Sequence, residues 1–195
     1  MKPFAESSEE NKEPILAILR DELANMQRIL EVGSGTGQHA VFFAEQLPHL
    51  KWICSDLEEN HAGIRMWLEE AALENVEGPL LLDARETWPE IEADAVFSAN
   101  AVHIMSWEAV QGMVCNIGEL LTSGGKMYLY GPFMYDGQHT AESNARFDTW
   151  LKDRDPQSGV RDVTELSQLL DEQQMSLAND YEMPANNRIV VWQKR

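Results

Sequence analysis

The sequence predicts an α/β fold with a mainly parallel sheet, and three observations carry that prediction. Residues 28–32 read as a short buried strand that runs into Gly33-Ser34-Gly35-Thr36-Gly37 and then a helix from about Gln38. Three glycines in five residues remove Cβ atoms where a chain turns sharply and a ligand approaches the backbone. Strand-like and helix-like apolar patterns then alternate along the chain. Finally, a second strand over residues 51–56 ends in Asp56, 19 residues beyond Gly37. That is close to the spacing at which an acid at the second strand's end meets ribose hydroxyls.

The elements follow in order. Residues 1–13 are polar and read as an irregular arm. A helix from Pro14 to Ala24 shows Ile15, Leu16, Ile18, Leu19 and Leu23 on one face, with Asn11 as a candidate cap. The helix behind the glycine turn covers 38–46 and stops before Pro48. Another, from Glu59 to Glu74, places Ile64, Trp67, Leu68 and Ala71 together and is broken at Gly78-Pro79. Leu80-Leu81-Leu82 is the third strand, ending in Asp83-Ala84, and residues 94–100 are the fourth. Ser106 caps a helix carrying Trp107, Val110, Val114, Ile117 and Leu121, which ends at Ser123-Gly124-Gly125. A fifth strand, 126–130, closes at Gly131-Pro132-Phe133. Beyond it lie a polar loop at 135–143 and a helix at 144–153 with Phe147, Trp150 and Leu151 inward. A helix over 163–173 follows, where Asp162 and Glu165 have capping-box spacing. Strands at 176–182 and 188–193 flank a turn at 183–187.

Size and composition bound the function. A chain of 195 residues fits one domain. We divide it into an amino-terminal arm and helix (1–25), a ligand-binding core (26–133), and later helices with a final hairpin (134–195). The net charge of -18 disfavours nucleic acid and favours a small-molecule partner, with a protein substrate as the other option. No apolar run has the length of a membrane span, and the first residues lack the apolar core of a signal peptide. Cys54 and Cys115 read as small core residues in a reducing compartment, so a cytoplasmic location is expected. No cluster of Cys, His and carboxylates has metal-ligand spacing.

The chemistry-bearing residues sit at strand ends. Glu31 lies two positions before the first glycine, and Gln38 stands where a dinucleotide fingerprint wants its third glycine. Asp56 either binds a ribose diol or caps the following helix. Asn100 and His103 follow the fourth strand, which in such a fold borders the ligand crevice. His103 reads as a general base, or as an orienting or structural histidine.

Glu31, the three glycines, Asp56, Asp83, and the Asn100-x-x-His103 segment together resemble a class I S-adenosylmethionine-dependent methyltransferase. Outside those motifs, Asn11-Lys12-Glu13-Pro14-Ile15, Ser143-Asn144, Phe147-Asp148, Gly159-Val160-Arg161-Asp162 and Pro184-Ala185-Asn186-Asn187 resemble a small family. It is a domain-of-unknown-function family that includes methyltransferase-like protein 26; Glu10 stands where its pattern usually has an arginine. The resemblance implies a Rossmann-like, mainly parallel seven-stranded sheet with a last antiparallel strand and helices on both faces. It also implies S-adenosylmethionine as cofactor and S-adenosylhomocysteine as product. The expected cofactor-binding set is Glu31, Gly33, Ser34, Gly35, Gly37, Asp56, Leu57, Asp83, Ala84 and Asn100. Asp83 would meet the adenine amino group. His103 and Tyr130 are the candidate bases. Asn11, Phe133, Asn144, Arg161, Asn186 and Asn187 are the candidate substrate pocket; the asparagines also suit turns, and Arg161-Asp162 also suits a helix cap. Methyl transfer to a small molecule is the leading function. The alternatives are a binding or scaffold protein without turnover and, weakened by Glu31 and Gln38, a nicotinamide-dependent oxidoreductase.

Overall fold

The computed structural model describes residues 2–195. The chain forms two compact units, one running to Asp83 and including Glu92–Phe97, the other Ala84–Ile91 with Ser98–Arg195. The first unit holds α1 (Glu6–Glu22), β1 (Arg28–Val32), α2 (Gln38–Gln46), β2 (Lys51–Asp56), α3 (Glu58–Ala71), β3 (Val76–Leu81) and the start of β4 (Ala95–Ala99). β1 pairs in parallel with β2 on one side and β4 on the other, and β2 pairs with β3. β1, β2 and β4 are buried along most of their length, which is why they read as nearly continuous apolar runs. Phe43, Trp52 and Phe97 pack on one another with ring centroids 5.3–5.8 Å apart. With its neighbours on opposite sides, β1 marks the point where strand order reverses.

The second unit holds α4 (Ala101–Ile104), α5 (Trp107–Leu120), β5 (Lys126–Gly131), β6 (Phe133–Tyr135), β7 (Gln138–His139), α6 (Glu142–Arg154), β8 (Arg161–Asp162), α7 (Val163–Glu172), β9 (Met175–Met183) and β10 (Asn187–Lys194). β10 runs antiparallel to both β5 and β9. The full strand order is β3-β2-β1-β4-β5-β10-β9, the seven-stranded, mainly parallel sheet with one antiparallel strand that was expected. A smaller sheet, β7-β6-β8, places β7 and the end of β6 in the segment read as a loop. Ser106 and Asp162 cap α5 and α7 as expected, each accepting a backbone N–H of the first turn. Among the described residues no helix is long and apolar enough to cross a membrane.

Four sequence expectations are corrected. α1 begins at Glu6, so Asn11 lies inside it and Pro14 is internal. Contacts to α2 hold its polar start: Asn11 Oδ1 meets His39 Nε2 at 2.7 Å, and Lys12 pairs with Glu9 and lies over the Phe42 ring. β3 runs through Gly78-Pro79 because it is the edge strand, with an irregular register against β2, where a residue without an N–H is tolerated. Trp150 is 49% exposed; the inward residues of α6 are Asn144, Asp148 and Leu151. Cys115 is exposed, whereas Cys54 is buried.

Candidate functional site

The first unit builds a ligand cradle at the carboxyl end of β1. Gly33, Gly35 and Gly37 all adopt positive φ (74°, 59° and 89°), conformations that side-chain-bearing residues rarely take. The Gly33 and Ser34 amides donate to Ser55 O, which pins the loop to β2. A Cβ on Gly35 would meet nothing within 4 Å, so the space over this backbone is open. At Gly37 the opposite holds, because a Cβ would press on Ile64 of α3. One glycine thus faces open space and another allows close helix packing.

Glu31 lies beneath the loop and is 1% exposed. Its Oε2 accepts hydrogen bonds from Ser34 Oγ and Trp52 Nε1, each at 3.0 Å. Burial raises its pKa to about 7, against the opposing hydrogen bonds from Trp52 and Ser34; the Asp56 charge adds to the rise. Asp56, at the end of β2, ties the loop to the next helix. Its Oδ2 accepts from Gly35 N (2.7 Å), and its Oδ1 accepts from Leu57 N (2.7 Å) and Asn60 Nδ2 (2.8 Å). A carboxylate has about four acceptor positions, so these three donors leave about one for a ribose hydroxyl. Leu57 beside it is 38% exposed and offers an apolar surface. These residues suit an adenosyl ligand with a zwitterionic tail: an open backbone cradle, a carboxyl able to ionise near neutrality, and one free carboxylate acceptor position for a ribose hydroxyl. Asp83 follows β3 in the same unit, whereas Ala84 and Asn100 belong to the second.

In the second unit, β4 leads through Asn100, whose φ of 59° is a left-handed turn that asparagine tolerates, into the four-residue α4. Asn100 N donates to Tyr130 O at 2.8 Å. The His103 ring is 0% exposed and packs edge-on to Phe133, with neither ring nitrogen hydrogen-bonded among the described residues. It lies over Gly131, where any Cβ would collide with His103 Nε2 and approach Asn100 Oδ1 to 3.2 Å. Burial, reinforced by the Arg161 charge, lowers the His103 pKa to about 3. The ring is therefore neutral in the ordinary pH range.

One segment holds α4 in place by its carbonyls. Arg161 Nε donates to Val102 O (2.9 Å), Gly159 N to His103 O (2.9 Å), Ser158 Oγ to Ile104 O (3.0 Å), and Arg161 Nη2 to Met105 O. Four consecutive carbonyls, unsatisfied at any helix end, are all met by residues 158–161. Asp148 supports this segment by accepting from Val160 N at 2.8 Å.

The remaining candidate pocket residues form a separate network. Asn144 Nδ2 donates to Asn186 O (3.0 Å) and Thr140 Oγ1 (2.9 Å), and Asn186 Nδ2 donates to Ser143 Oγ (3.2 Å). Asn187 Nδ2 donates to Tyr130 OH at 3.1 Å. The structure thus places Asn100, His103, Phe133 and Arg161 in one cluster and joins Tyr130 to Asn187 and Asn144 to Asn186. Asn11 belongs to the first unit, where it bonds to His39, whereas the other pocket candidates belong to the second.

Sequence reasoning missed Trp52, Asn60, Ser158 and the buried amide of Gln38. Asn60 had a signal, standing four residues after Asp56 at a helix start. For the Trp52 and Ser158 contacts, 21 and 54 residues distant in sequence, there was none.

A family model described as "Protein of unknown function (DUF938)" matches residues 2–194. Among solved structures, the chain is similar to an O-methyltransferase family protein from Burkholderia thailandensis, with a TM-score of 0.83 and 13% identity over 96% of this chain and 57% of that one. It is similar to the mitomycin 7-O-methyltransferase MmcR (TM-score 0.84, 17% identity, 97% of this chain and 54% of that one). The same holds for human N-acetylserotonin methyltransferase in complex with S-adenosylmethionine (0.80, 16%, 97% and 53%). The fold is that of class I methyltransferases, and this chain spans little more than half the length of those neighbours.

Proposed function

The chain belongs to the family described as "Protein of unknown function (DUF938)", and we propose that it is an S-adenosylmethionine-dependent methyltransferase acting on a small-molecule acceptor. The observation that carries this reading is the left-handed glycine loop, open over Gly35 and underlain by a buried acid. When bound, the cofactor supplies a methyl group already activated on a sulfonium. The chain's own residues then bind and orient. The open space over Gly35 and the Glu31 carboxyl beneath it receive the amino-acid end, Glu31 favouring positive charge once ionised. The open acceptor position of Asp56 takes a ribose hydroxyl, Leu57 offers apolar cover, and Asp83 takes the adenine amino group.

On the acceptor side, holding a nucleophile about 3–3.5 Å from the methyl carbon supplies much of the acceleration. With its low basicity His103 is assigned an orienting role rather than proton abstraction, the second of the two readings its sequence position allowed. Tyr130 is already engaged by Asn187. We infer a cytoplasmic protein that acts on neither membranes nor nucleic acid, in keeping with the net charge of -18. The weakly basic His103 also favours a second reading, a cofactor-binding protein without turnover.

Calorimetric titration with S-adenosylhomocysteine tests the proposal in the wild type and in Gly35→Val. The substitution places a side chain in the open space at a strained φ. The wild type should bind and the folded variant should lose about tenfold or more in affinity; equal affinity would remove the loop from the site. Transfer of a labelled methyl group to a metabolite extract separates turnover from binding alone.

A further inference from the structure

The amide of Gln38 is the one polar side chain at the glycine loop that the first unit leaves half used. Its Oε1 accepts from Ala5 N (2.6 Å) and from Thr36 Oγ1 of the loop (3.0 Å). A backbone N–H can only donate, so the bond from Ala5 fixes which end of the amide is oxygen. The Nε2 end therefore carries two N–H donors. The side chain is 4% exposed, and Nε2 has no hydrogen-bond partner among the described residues. Unpaired buried donors are rare and call for an explanation.

The surroundings say what would complete them. Gln38 is the first residue of α2, a helix of nine residues whose preceding Gly37 provides no side-chain cap. No acidic residue lies in the first turn of α2. α1, α3, α5, α6 and α7 each carry a glutamate there. Glu31 and Asp56 reach the loop that precedes α2, but the first turn of α2 itself carries no acid of its own. Resting on the cofactor reading above, we propose that Gln38 Nε2 donates to the carboxylate of the cofactor's amino-acid tail. Glu31 then serves the ammonium and Gln38 the carboxylate, so the loop reads both ends of the zwitterion. Residues 2–5 hold the amide in place as a strap: Lys2 pairs with Glu70 (2.7 Å), Pro3 O accepts from Trp67 Nε1 (2.8 Å), and Ala5 N donates to Gln38.

The test compares two nucleosides that share the adenosine thioether and differ in the tail. S-adenosylhomocysteine carries the carboxylate; 5′-methylthioadenosine lacks the amino-acid group entirely. Gln38→Glu keeps an acceptor for Ala5 and Thr36 but replaces the Nε2 donors with a charged oxygen. It should weaken S-adenosylhomocysteine by about tenfold or more and leave methylthioadenosine within about twofold. An unchanged affinity for the first, or an equal loss for both, would overturn the assignment. In the wild type, the side-chain amide NMR signal of Gln38 should move with S-adenosylhomocysteine and stay in place with methylthioadenosine. That arm decides the matter if the variant does not fold. Binding of neither nucleoside to the wild type would instead remove the cofactor reading, and the Gln38 contact with it.

Discussion

A carboxyl buried as deeply as that of Glu31 makes stability depend on pH in a direction opposite to that of most acids. Its pKa of about 7 lies above the ordinary 4.5, so between those values the folded chain keeps a proton that the unfolded chain releases. Its contribution therefore falls as pH rises from 4.5 to 7, and the full penalty, on the order of 3 kcal/mol, is present above 7. His39 and His103 oppose it. Burial lowers them to about 4 and about 3, so they withdraw stability as pH falls below 6.5. Glu31→Gln keeps an oxygen for Ser34 and Trp52 and removes the ionisation. It should gain about 1–3 kcal/mol more at pH 8 than at pH 4.5 in urea unfolding. Equal effects at both pH values would mean that Glu31 does not titrate as its burial requires.

At the scale of elements, residues 158–161 should behave as a clamp on α4. Arg161→Lys retains the charge but not the planar fork that reaches Val102 and Met105 together. We expect a loss of about 1–3 kcal/mol and faster hydrogen exchange at Gly159 N–H, which donates to His103 O. Unchanged exchange would show that the clamp does not depend on Arg161. None of this was legible in the sequence, because Arg161 and its carbonyl partners Val102 and Met105 lie 59 and 56 residues apart. β1 and β2 were legible to the residue, since double burial gives a continuous apolar run and a glycine or an acid closes it. The glycine loop was legible for the same local reason. α1 was read as starting eight residues late because its polar start is held by His39 and Phe42, partners that helix periodicity does not show. Trp150 was read inward because Asn144 and Asp148, which look like surface residues, occupy the buried face of α6. Asp56 was visible as a strand-end acid, but its three protein donors emerge only when the loop and α3 meet.

At the scale of the whole molecule, 33 acidic against 15 basic residues leave the surface self-repelling. The melting temperature should rise when salt goes from about 10 mM to about 150 mM, as the Debye length shrinks from about 30 Å to about 8 Å. A fall would mean that surface ion pairs such as Arg188–Asp180 outweigh the net repulsion. Thermal unfolding with S-adenosylmethionine, S-adenosylhomocysteine and NAD in turn shows whether the glycine loop serves an adenosyl cofactor. A ligand at about 100 times its dissociation constant stabilises by about 2.7 kcal/mol. For a chain of this size that is a rise of roughly 5–10 °C. That rise is expected with the two adenosyl compounds and not with NAD; a rise with NAD alone would rule out an S-adenosyl cofactor at the loop.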